Sequence, residues 1–192
     1  IDNAKFLQGQ KFDFAIEVKN GSSDMDVKVN GQDAAKFFGK DASRTMEGTT
    51  AIYRIDDVSF KKAGNIDIEV KDGSQERKAN YVVTNEKAEK TAKNVILFVG
   101  DGMSLQAREI ARILSKGITE GKYNDLLNME KLDNMAIITT SGYDSIVTDS
   151  ANSASAYATG HKSVVNAMGV YENCTKDPLD DPKVENIIEL AK

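Results

Sequence analysis

Two short segments of the sequence carry residue types that could do chemistry. The first is Gly100-Asp101-Gly102, which follows the apolar run Val95–Val99. Ligands of open parallel sheets collect at the carboxyl ends of strands, and a carboxylate between two glycines is sterically open. Asp101 is therefore a candidate ligand for a divalent cation such as Zn²⁺ or Mg²⁺. The alternative is structural, because Asp101 could also cap the helix that follows.

The second segment is Thr148-Asp149-Ser150-Ala151-Asn152-Ser153-Ala154. A serine in the first turn of a helix lies near unpaired backbone N–H groups and the positive end of the helix dipole. Both stabilise a bound phosphate and a developing alkoxide, so Ser150 is a candidate nucleophile. No histidine lies nearby in the sequence, so the pattern does not indicate a Ser-His-Asp triad, and a metal ion is the alternative activator. Asp149 or Ser150 could instead be a helix N-cap.

The elements that must position these segments divide near residue 90. Residues 1–84 alternate apolar and polar side chains, as in Phe12–Val18, and contain turn signals such as Asn30-Gly31. Five or six short strands of this kind predict a small all-β, Ig-like sandwich, although it has neither Cys nor Trp. Residues 85–93 are polar and without a strand period, so they predict a linker.

Residues 94–192 predict an α/β domain. Val95–Val99 and Met135–Thr140 are apolar runs typical of strands buried on both faces of a parallel sheet. Helices are predicted around Leu105–Leu114, over 125–132, over the Ala- and Ser-rich stretch 150–159, and over 184–191. This alternation of strands and helices is characteristic of a parallel α/β sheet.

Composition limits the functions that remain. The 192 residues contain 25 Lys and Arg against 30 Asp and Glu, for a net charge of −5. This acidic balance argues against nucleic acid as a specific partner, because binding to a phosphate backbone depends on a basic surface. The single Cys174 excludes an internal disulfide, and the single His161 excludes a histidine-rich metal site made by this chain alone. No apolar run approaches the roughly 20 residues of a transmembrane helix.

Taken together, the two segments resemble the alkaline phosphatase family. The resemblance is carried by Asn94–Met103, by Val147–Gly160 and by the continuation Lys162–Val170, which includes Asn166-Ala167-Met168-Gly169-Val170. The two motifs stand in the family's order at the family's approximate spacing, and the resemblance covers about residues 93–192. It implies part of an alkaline-phosphatase-like fold, a mostly parallel sheet with helices, preceded by the sandwich.

The resemblance also implies roles for individual residues. Asp101 matches a carboxylate that bridges one zinc and the magnesium site. Ser150 matches the nucleophile that forms a phosphoserine intermediate and, when free, contacts that zinc. Asp149 matches an aspartate that orients a phosphate-binding arginine. The implied cofactors are two Zn²⁺ and one Mg²⁺, which provide metal-ion catalysis of phosphoryl transfer.

The same resemblance limits what this chain can hold. The remaining metal ligands and the arginine are expected C-terminal of Lys192. His161 falls at a position that the family does not use as a metal ligand. It is expected either at the surface or behind the metal ligands, in contact with them and not with the metal. The full-length parent is accordingly expected to hydrolyse phosphate monoesters as an extracytoplasmic (periplasmic or secreted) homodimer, and the fragment alone to be inactive. Residues 1–84 are expected to fold alone, and residues 93–192 to be unstable without a continuation.

Two alternatives stay open. The parent could be another member of the same superfamily, such as a phosphodiesterase, for which Thr148 is a competing nucleophile. The β-sandwich could also be the functional domain of the chain, as a binding or docking module. Its aromatic residues fall mostly at the apolar positions of the alternating strands, which face the core and are not free to bind a ligand. This favours a spacer or docking role.

Overall fold

A computed structural model describes residues 2–85, 93–177 and 179–192, so the predicted linker over 85–93 lies almost entirely outside the described residues. The described residues form two compact units. One consists of residues 2–85 and 141–192, and the other of residues 93–140. The domain limits drawn from the sequence, with 94–192 as a single domain, stay a prediction.

Residues 2–85 form two β-sheets. The strands are β1 (Lys5–Leu7), β2 (Lys11–Lys19), β3 (Asp26–Val29), β4 (Gln32–Asp33), β5 (Ser43–Glu47), β6 (Thr50–Ser59), β7 (Gly64–Asp72) and β8 (Gln75–Thr84), and a short helix, α1 (Ala34–Phe38), follows β4. One sheet has the order β1-β8-β7-β3-β4 and the other the order β2-β6-β5. Strands β1 and β8 run parallel, and the other neighbours in these two sheets run antiparallel.

The two sheets share one hydrophobic core. The alternation in β2 turns Phe14 inward, where it is 2% exposed. Tyr53 and Ile55 join it from the same sheet, and Val27 and Ile68 come from the other sheet. Two sheets over one core agree with the predicted β-sandwich, and the Ig-like topology stays a prediction.

The turn signal Asn30-Gly31 behaves as the sequence predicts. The backbone φ angles are 50° at Asn30 and 76° at Gly31. Positive φ at both central residues is the type I′ geometry, whose twist matches that of the flanking strands. The turn accordingly joins β3 to β4 as a two-residue hairpin.

The second unit has regular elements but no buried residue among the described residues 93–140. It contains helix α2 (Leu105–Lys116), strands β9 (Ile118–Thr119) and β10 (Lys122–Tyr123), and a 3₁₀ turn at Asn128–Lys131. Helix α2 forms where the sequence predicts it, whereas the helix predicted over 125–132 is only the short 3₁₀ turn. The apolar side chains of α2 are left in solvent, since Leu114 is 81% exposed.

The parallel sheet predicted from Val95–Val99 and Met135–Thr140 is not confirmed. The structure has no strand in either segment, and Phe98 and Ile137 are 89% and 94% exposed. A parallel strand with two apolar faces needs neighbouring strands and helices over both faces. Among the described residues 93–140, β9 and β10 pair only with each other, so these apolar runs stay unpaired and exposed.

Residues 141–192 contribute two helices to the first unit, α3 (Ser150–Thr159) and α4 (Ile187–Ala191). Helix α4 is shorter than the predicted 184–191, because Asn186 is its N-cap. Val184 instead forms an antiparallel bridge with Phe12 and is 7% exposed. None of the helices in the described parts of the chain has the length and apolar character that a membrane crossing requires.

Candidate active-site residues

Helix α3 begins at Ser150, and Asp149 is its N-cap. The Asp149 Oδ1 accepts a hydrogen bond from the backbone N–H of Asn152 at 2.8 Å, and Oδ2 accepts one from the N–H of Asn166 at 2.5 Å. These bonds hold the pKa of Asp149 below its ordinary value. The capping alternative is therefore correct for Asp149, and the Ser150 side chain is left exposed at the first helical position.

The Asp149 carboxylate changes what this helix end can bind. A free helix N-terminus attracts anions through its unpaired N–H groups and its dipole. Here a carboxylate already uses part of that capacity, and a phosphate at Ser150 would lie close to a like charge. Binding a phosphate at Ser150 therefore requires positive charge from other groups.

A loop over residues 163–169 is tied to helix α3 at a second point. The Ser155 hydroxyl accepts a hydrogen bond from the N–H of Gly169 at 2.6 Å and lies 3.0 Å from the carbonyl oxygen of Ala151. Asn166, the partner of Asp149, has a φ of 66°, a left-handed conformation that Asn tolerates better than most residues. This role of Asn166 was not predicted, because the tolerance of Asn for positive φ indicates a turn but not the bond to Asp149.

Asn152 and Gly142 form a close contact that the sequence analysis also missed. Asn152 is 2% exposed, and its Nδ2 has no hydrogen-bond partner among the described residues. A Cβ atom placed on Gly142 would lie 2.2 Å from this nitrogen. The glycine is therefore required for the segment before α3 to approach the first turn of the helix.

Asp101 lies in the second unit, in a turn that includes Gly102 with a φ of 65°. Its side chain is exposed and makes no hydrogen bond within the described part of the chain. The N-cap of helix α2 is Ser104, whose hydroxyl oxygen accepts a hydrogen bond from the N–H of Ala107 at 3.1 Å. The alternative that Asp101 caps this helix is therefore wrong, and its carboxylate is open.

The candidate metal ligands do not make a metal site by themselves. Across residues 2–85, 93–177 and 179–192, no group of three or more His, Cys, Asp or Glu side chains could hold an ion. A catalytic zinc takes three protein ligands as a rule. An exposed carboxylate and an exposed hydroxyl are suitable donors, but Asp101 and Ser150 belong to different compact units and are too few.

His161 is buried, so the first of the two expected places, the surface, is wrong, and a place behind the metal ligands stays a prediction. It is 6% exposed, and its ring centroid lies 4.6 Å from that of Phe6 in strand β1. Burial lowers the pKa of His161 to about 4, so the ring is neutral at physiological pH. It packs in the first unit as an apolar ring.

A groove of about 480 Å³ lies in the first unit, away from the predicted chemistry. Its walls include Phe12 and Tyr81 from the sandwich and Tyr143 and Tyr171 from the later segment. Ser150 is not part of its lining. The groove therefore does not serve as a substrate pocket for the candidate nucleophile.

Comparison with known proteins matches the second half of the sequence. The family model described as alkaline phosphatase matches residues 92–192. The chain is 34% identical over 102 residues to the tissue-nonspecific alkaline phosphatase of Gallus gallus, covering 53% of this chain and 20% of that protein. It is 38% identical over 109 residues to alkaline phosphatase H of Pseudomonas aeruginosa (strain UCBPP-PA14), covering 55% and 21%. An alkaline phosphatase of Gadus morhua is 40% identical over 106 residues, covering 53% and 22%.

All three relatives are phosphatases by name, and the match to the family model extends over the second half of the chain. The chain belongs to the alkaline phosphatase family. It spans about a fifth of the length of the curated relatives that it matches. A titin I27 domain mutant aligns with 49% of this chain and 92% of its own at 13% identity, but the TM-score of 0.32 carries no argument about the fold.

Proposed function

We propose that this chain carries the nucleophile of a metal-dependent phosphate monoesterase, and that Ser150 is that nucleophile. The observation that carries the proposal is the exposed Ser150 hydroxyl at the first position of helix α3, within the segment matched by the alkaline phosphatase family. Exposure matters because the hydroxyl must reach a phosphorus atom from outside the helix. The activity belongs to the longer protein, and the 192-residue chain is inactive alone.

The proposed reaction has two displacements. The Ser150 Oγ attacks phosphorus as the P–O bond to the alcohol oxygen breaks, the serine proton passes to solvent water, and the departing alkoxide takes a proton from water. The product of this step is a phosphoserine. Water then attacks the same phosphorus, and the bond to Oγ breaks to release inorganic phosphate and restore the serine.

Asp149 acts on this reaction through its charge and its hydrogen bonds. Its bonds to Asn152 and Asn166 fix the turn that presents Ser150 and keep the carboxylate ionised. An ionised carboxylate beside the phosphate calls for a cation between or beside them. This fits the proposed role of Asp149 as a partner for a phosphate-binding arginine.

The metal ions proposed for the parent are two Zn²⁺ and one Mg²⁺, and this chain contributes Asp101 and Ser150 to them. Asp101 fits by chemistry, because its carboxylate is exposed and is not used as a helix cap. When bound, the metals supply electrostatic stabilisation and a lowered pKa for coordinated oxygen. Asp101 and Ser150 join no group of three ligands within the described residues, and we propose that the further ligands lie C-terminal of Lys192.

The apolar runs Val95–Val99 and Met135–Thr140 are proposed to become strands of a parallel sheet in the longer protein. Their apolar side chains are exposed in this chain, and an exposed apolar patch of this kind is normally buried against other elements. Pairing them would also bring Asp101 to the carboxyl end of a strand, where sites of this class lie. By family resemblance alone, we propose an extracytoplasmic, homodimeric parent, which cell fractionation and light scattering would test.

The test is an assay of the complete gene product that contains this sequence. Hydrolysis of p-nitrophenyl phosphate at alkaline pH with Zn²⁺ and Mg²⁺ is expected in the wild type. Ser150→Ala should lower kcat by several orders of magnitude, because the nucleophile itself is lost. Thr148→Val should keep most of the activity, and activity of the Ser150→Ala variant would contradict the proposal.

Two controls separate the alternatives. Bis(p-nitrophenyl) phosphate replaces the monoester with a diester, and preferred hydrolysis of the diester together with loss of activity in Thr148→Val would identify a phosphodiesterase. The 192-residue chain, assayed under the same conditions, should show no turnover. Turnover by that chain would contradict the claim that further ligands are needed.

A further inference from the structure

The edge of strand β2 carries a segment from the far end of the chain. The backbone N–H of Asp13 donates to the carbonyl oxygen of Lys183, and the N–H of Glu185 donates to that of Lys11, both at 2.9 Å. Between them, Phe12 and Val184 form an antiparallel bridge. The segment 183–185 therefore extends the sheet β2-β6-β5 beyond β2 and covers its open edge.

Gln10, which lies just before β2, joins this segment to helix α3. Gln10 is 3% exposed, and its Nε2 donates to the carbonyl oxygen of Thr159 at 3.0 Å and to that of Glu185 at 3.1 Å. Its Oε1 accepts from the N–H of Leu7 at 3.2 Å, so both ends of the amide are engaged. Thr159 is the last residue of α3, where helix carbonyls lack partners within the helix.

Apolar packing supports the same contact. The His161 ring, just beyond the end of α3, stacks on Phe6 of β1 with centroids 4.6 Å apart. Val184 belongs to the buried core of the sandwich, and Tyr171 packs against that core. Side chains from residues 161–184 thus complete a core that the sandwich shares with them.

An ionic contact lies at the same edge. Asp13 Oδ2 accepts from the N–H of Lys183 at 3.0 Å and from a guanidinium nitrogen of Arg54 at 3.1 Å. Arg54 also donates to the carbonyl oxygen of Asp180. The Asp13 and Arg54 side chains are 12% and 18% exposed, so this pair is shielded from water better than a surface ion pair.

We infer that the β-sandwich is an internal anchor for helix α3, with Gln10 as the residue that binds the C-terminal end of that helix. A ten-residue helix is a stiff rod about 15 Å long, so the Gln10 bond at its last residue, together with the Asn166 bond to its Asp149 cap, holds both ends and so positions Ser150. This assigns the sandwich a role toward its own chain in place of an external ligand. The inference rests on contacts alone and holds whether or not Ser150 is a nucleophile.

Hydrogen exchange on the full 192-residue chain tests the inference. Gln10→Ala removes both donors and leaves the carbonyls of Thr159 and Glu185 buried without them. We expect amide exchange in α3 to become about tenfold faster, the order that follows from leaving buried acceptors unpaired. Exchange in strands β7 and β8 should change much less, because those strands pair with each other on the other sheet.

Gln8→Ala is the matched control. Gln8 is the same residue type two positions earlier, and its Nε2 donates to a sandwich carbonyl, that of Lys61, at 2.8 Å. Its loss should leave α3 unchanged. Gln10→Glu is a second variant, which keeps the shape of the side chain but places carboxylate oxygens against two carbonyls, and its effect on α3 should be at least that of Gln10→Ala.

Unchanged α3 exchange in Gln10→Ala or in Gln10→Glu would overturn the inference. So would equal acceleration of α3 and of β7 and β8, because it would mean that Gln10 serves only the stability of the whole unit. If neither Gln10 variant folds, exchange in the wild-type chain is measured at rising urea concentrations below the unfolding transition. Loss of protection in α3 together with β2 is then the supporting result, and loss in α3 while β2 stays protected the opposing one.

Discussion

Residues 2–85 and residues 93–140 both contain segments rich in apolar residues that predict strands, and these segments reach opposite outcomes. In the first region, side chains such as Phe14 and Ile55 are 2% and 1% exposed in a shared core. In the second, Phe98 and Ile137 are 89% and 94% exposed, and none of the described residues is buried. Apolar content alone therefore does not decide burial.

The difference lies in the sequence separation between each strand and the strands with which it must pair. The β7–β8 hairpin pairs residues that are close in sequence, and an antiparallel sheet closes on its own through short turns. A parallel strand needs a crossover connection and layers on both faces, which come from distant parts of a chain. The strands of the sandwich pair with one another, whereas Val95–Val99 and Met135–Thr140 have no pairing strand within the described parts of the chain.

The largest expected effect comes from one substitution made in both regions. Phe14→Ala removes a fully buried ring and should lower the free energy of unfolding by about 3–5 kcal/mol. Phe98→Ala removes an exposed ring and should change it by no more than about 0.5 kcal/mol. Urea denaturation followed by circular dichroism measures both. Comparable losses in the two variants would mean that Phe98 is buried in solution and would remove the contrast.

A smaller effect is expected where helix α3 meets the segment before it. Gly142→Ala would bring a Cβ to 2.2 Å from the Asn152 Nδ2, and the resulting shift should cost about 1–3 kcal/mol. Thermal unfolding of the variant measures the loss.

The control for Gly142→Ala is a double-mutant cycle with Asn152→Ala. Shortening Asn152 removes the collision, so Gly142→Ala should cost much less in the Asn152→Ala background than in the wild type. Purely additive effects would contradict the contact.

The sequence predicted those features of the fold that depend on neighbours in the chain. The alternation of β2 and the Asn30-Gly31 turn are local signals, and the structure has both. Helix α1 was missed, because five residues between polar segments are too few for a periodic pattern. Val95–Val99 was predicted as a strand because an apolar run signals burial, and burial depends on partners that a local pattern does not contain.

In the candidate site, too, the features that depend on neighbouring residues were predictable and the contacts between distant residues were not. The positions of Asp149 and Ser150 at the start of α3 follow from cap and helix preferences over a few residues. The bond from Asn166 to Asp149 spans 17 positions, and Gly142 meets Asn152 through a tertiary approach. Neither contact leaves a local signal. The bond from Gln10 to Thr159 spans 149 positions, so no pattern in the residues around Gln10 predicts it.

The hydrogen bonds that Asp149 accepts make the stability of the first unit depend on pH. Its folded-state pKa is lowered, so the stabilisation is present above the unfolded-state value and is lost as the pH falls through the lower folded-state value. Asp149→Asn should therefore destabilise the chain at neutral pH. The difference from wild type should shrink in acid, because the wild-type carboxylate is then protonated.

Thermal unfolding of wild type and Asp149→Asn across this acid range measures the dependence. Asp144→Asn is the comparison, since Asp144 accepts one backbone N–H, that of Val165 at 3.2 Å, and caps no helix. A difference between wild type and Asp149→Asn that does not depend on pH would contradict the role of the charged cap.

The smallest expected effect is the response of the two regions to salt. Residues 93–140 have no buried residue among those described, and the last turn of α2 is linked to the following segment by a partly exposed ion pair, Lys116 to Asp125 at 3.9 Å, which Lys131 joins at 2.9 Å. At about 1 M salt the Debye length falls to roughly 3 Å, so interactions between exposed charges weaken. Amide exchange in α2 should then become about two- to five-fold faster, as the modest strength of surface pairs implies. Exchange in β7 and β8 should slow or stay the same, because an apolar core does not depend on ion pairs.

If α2 kept its protection in salt, its stability would have to come from apolar contacts, and the contrast between the two regions would be one of degree only.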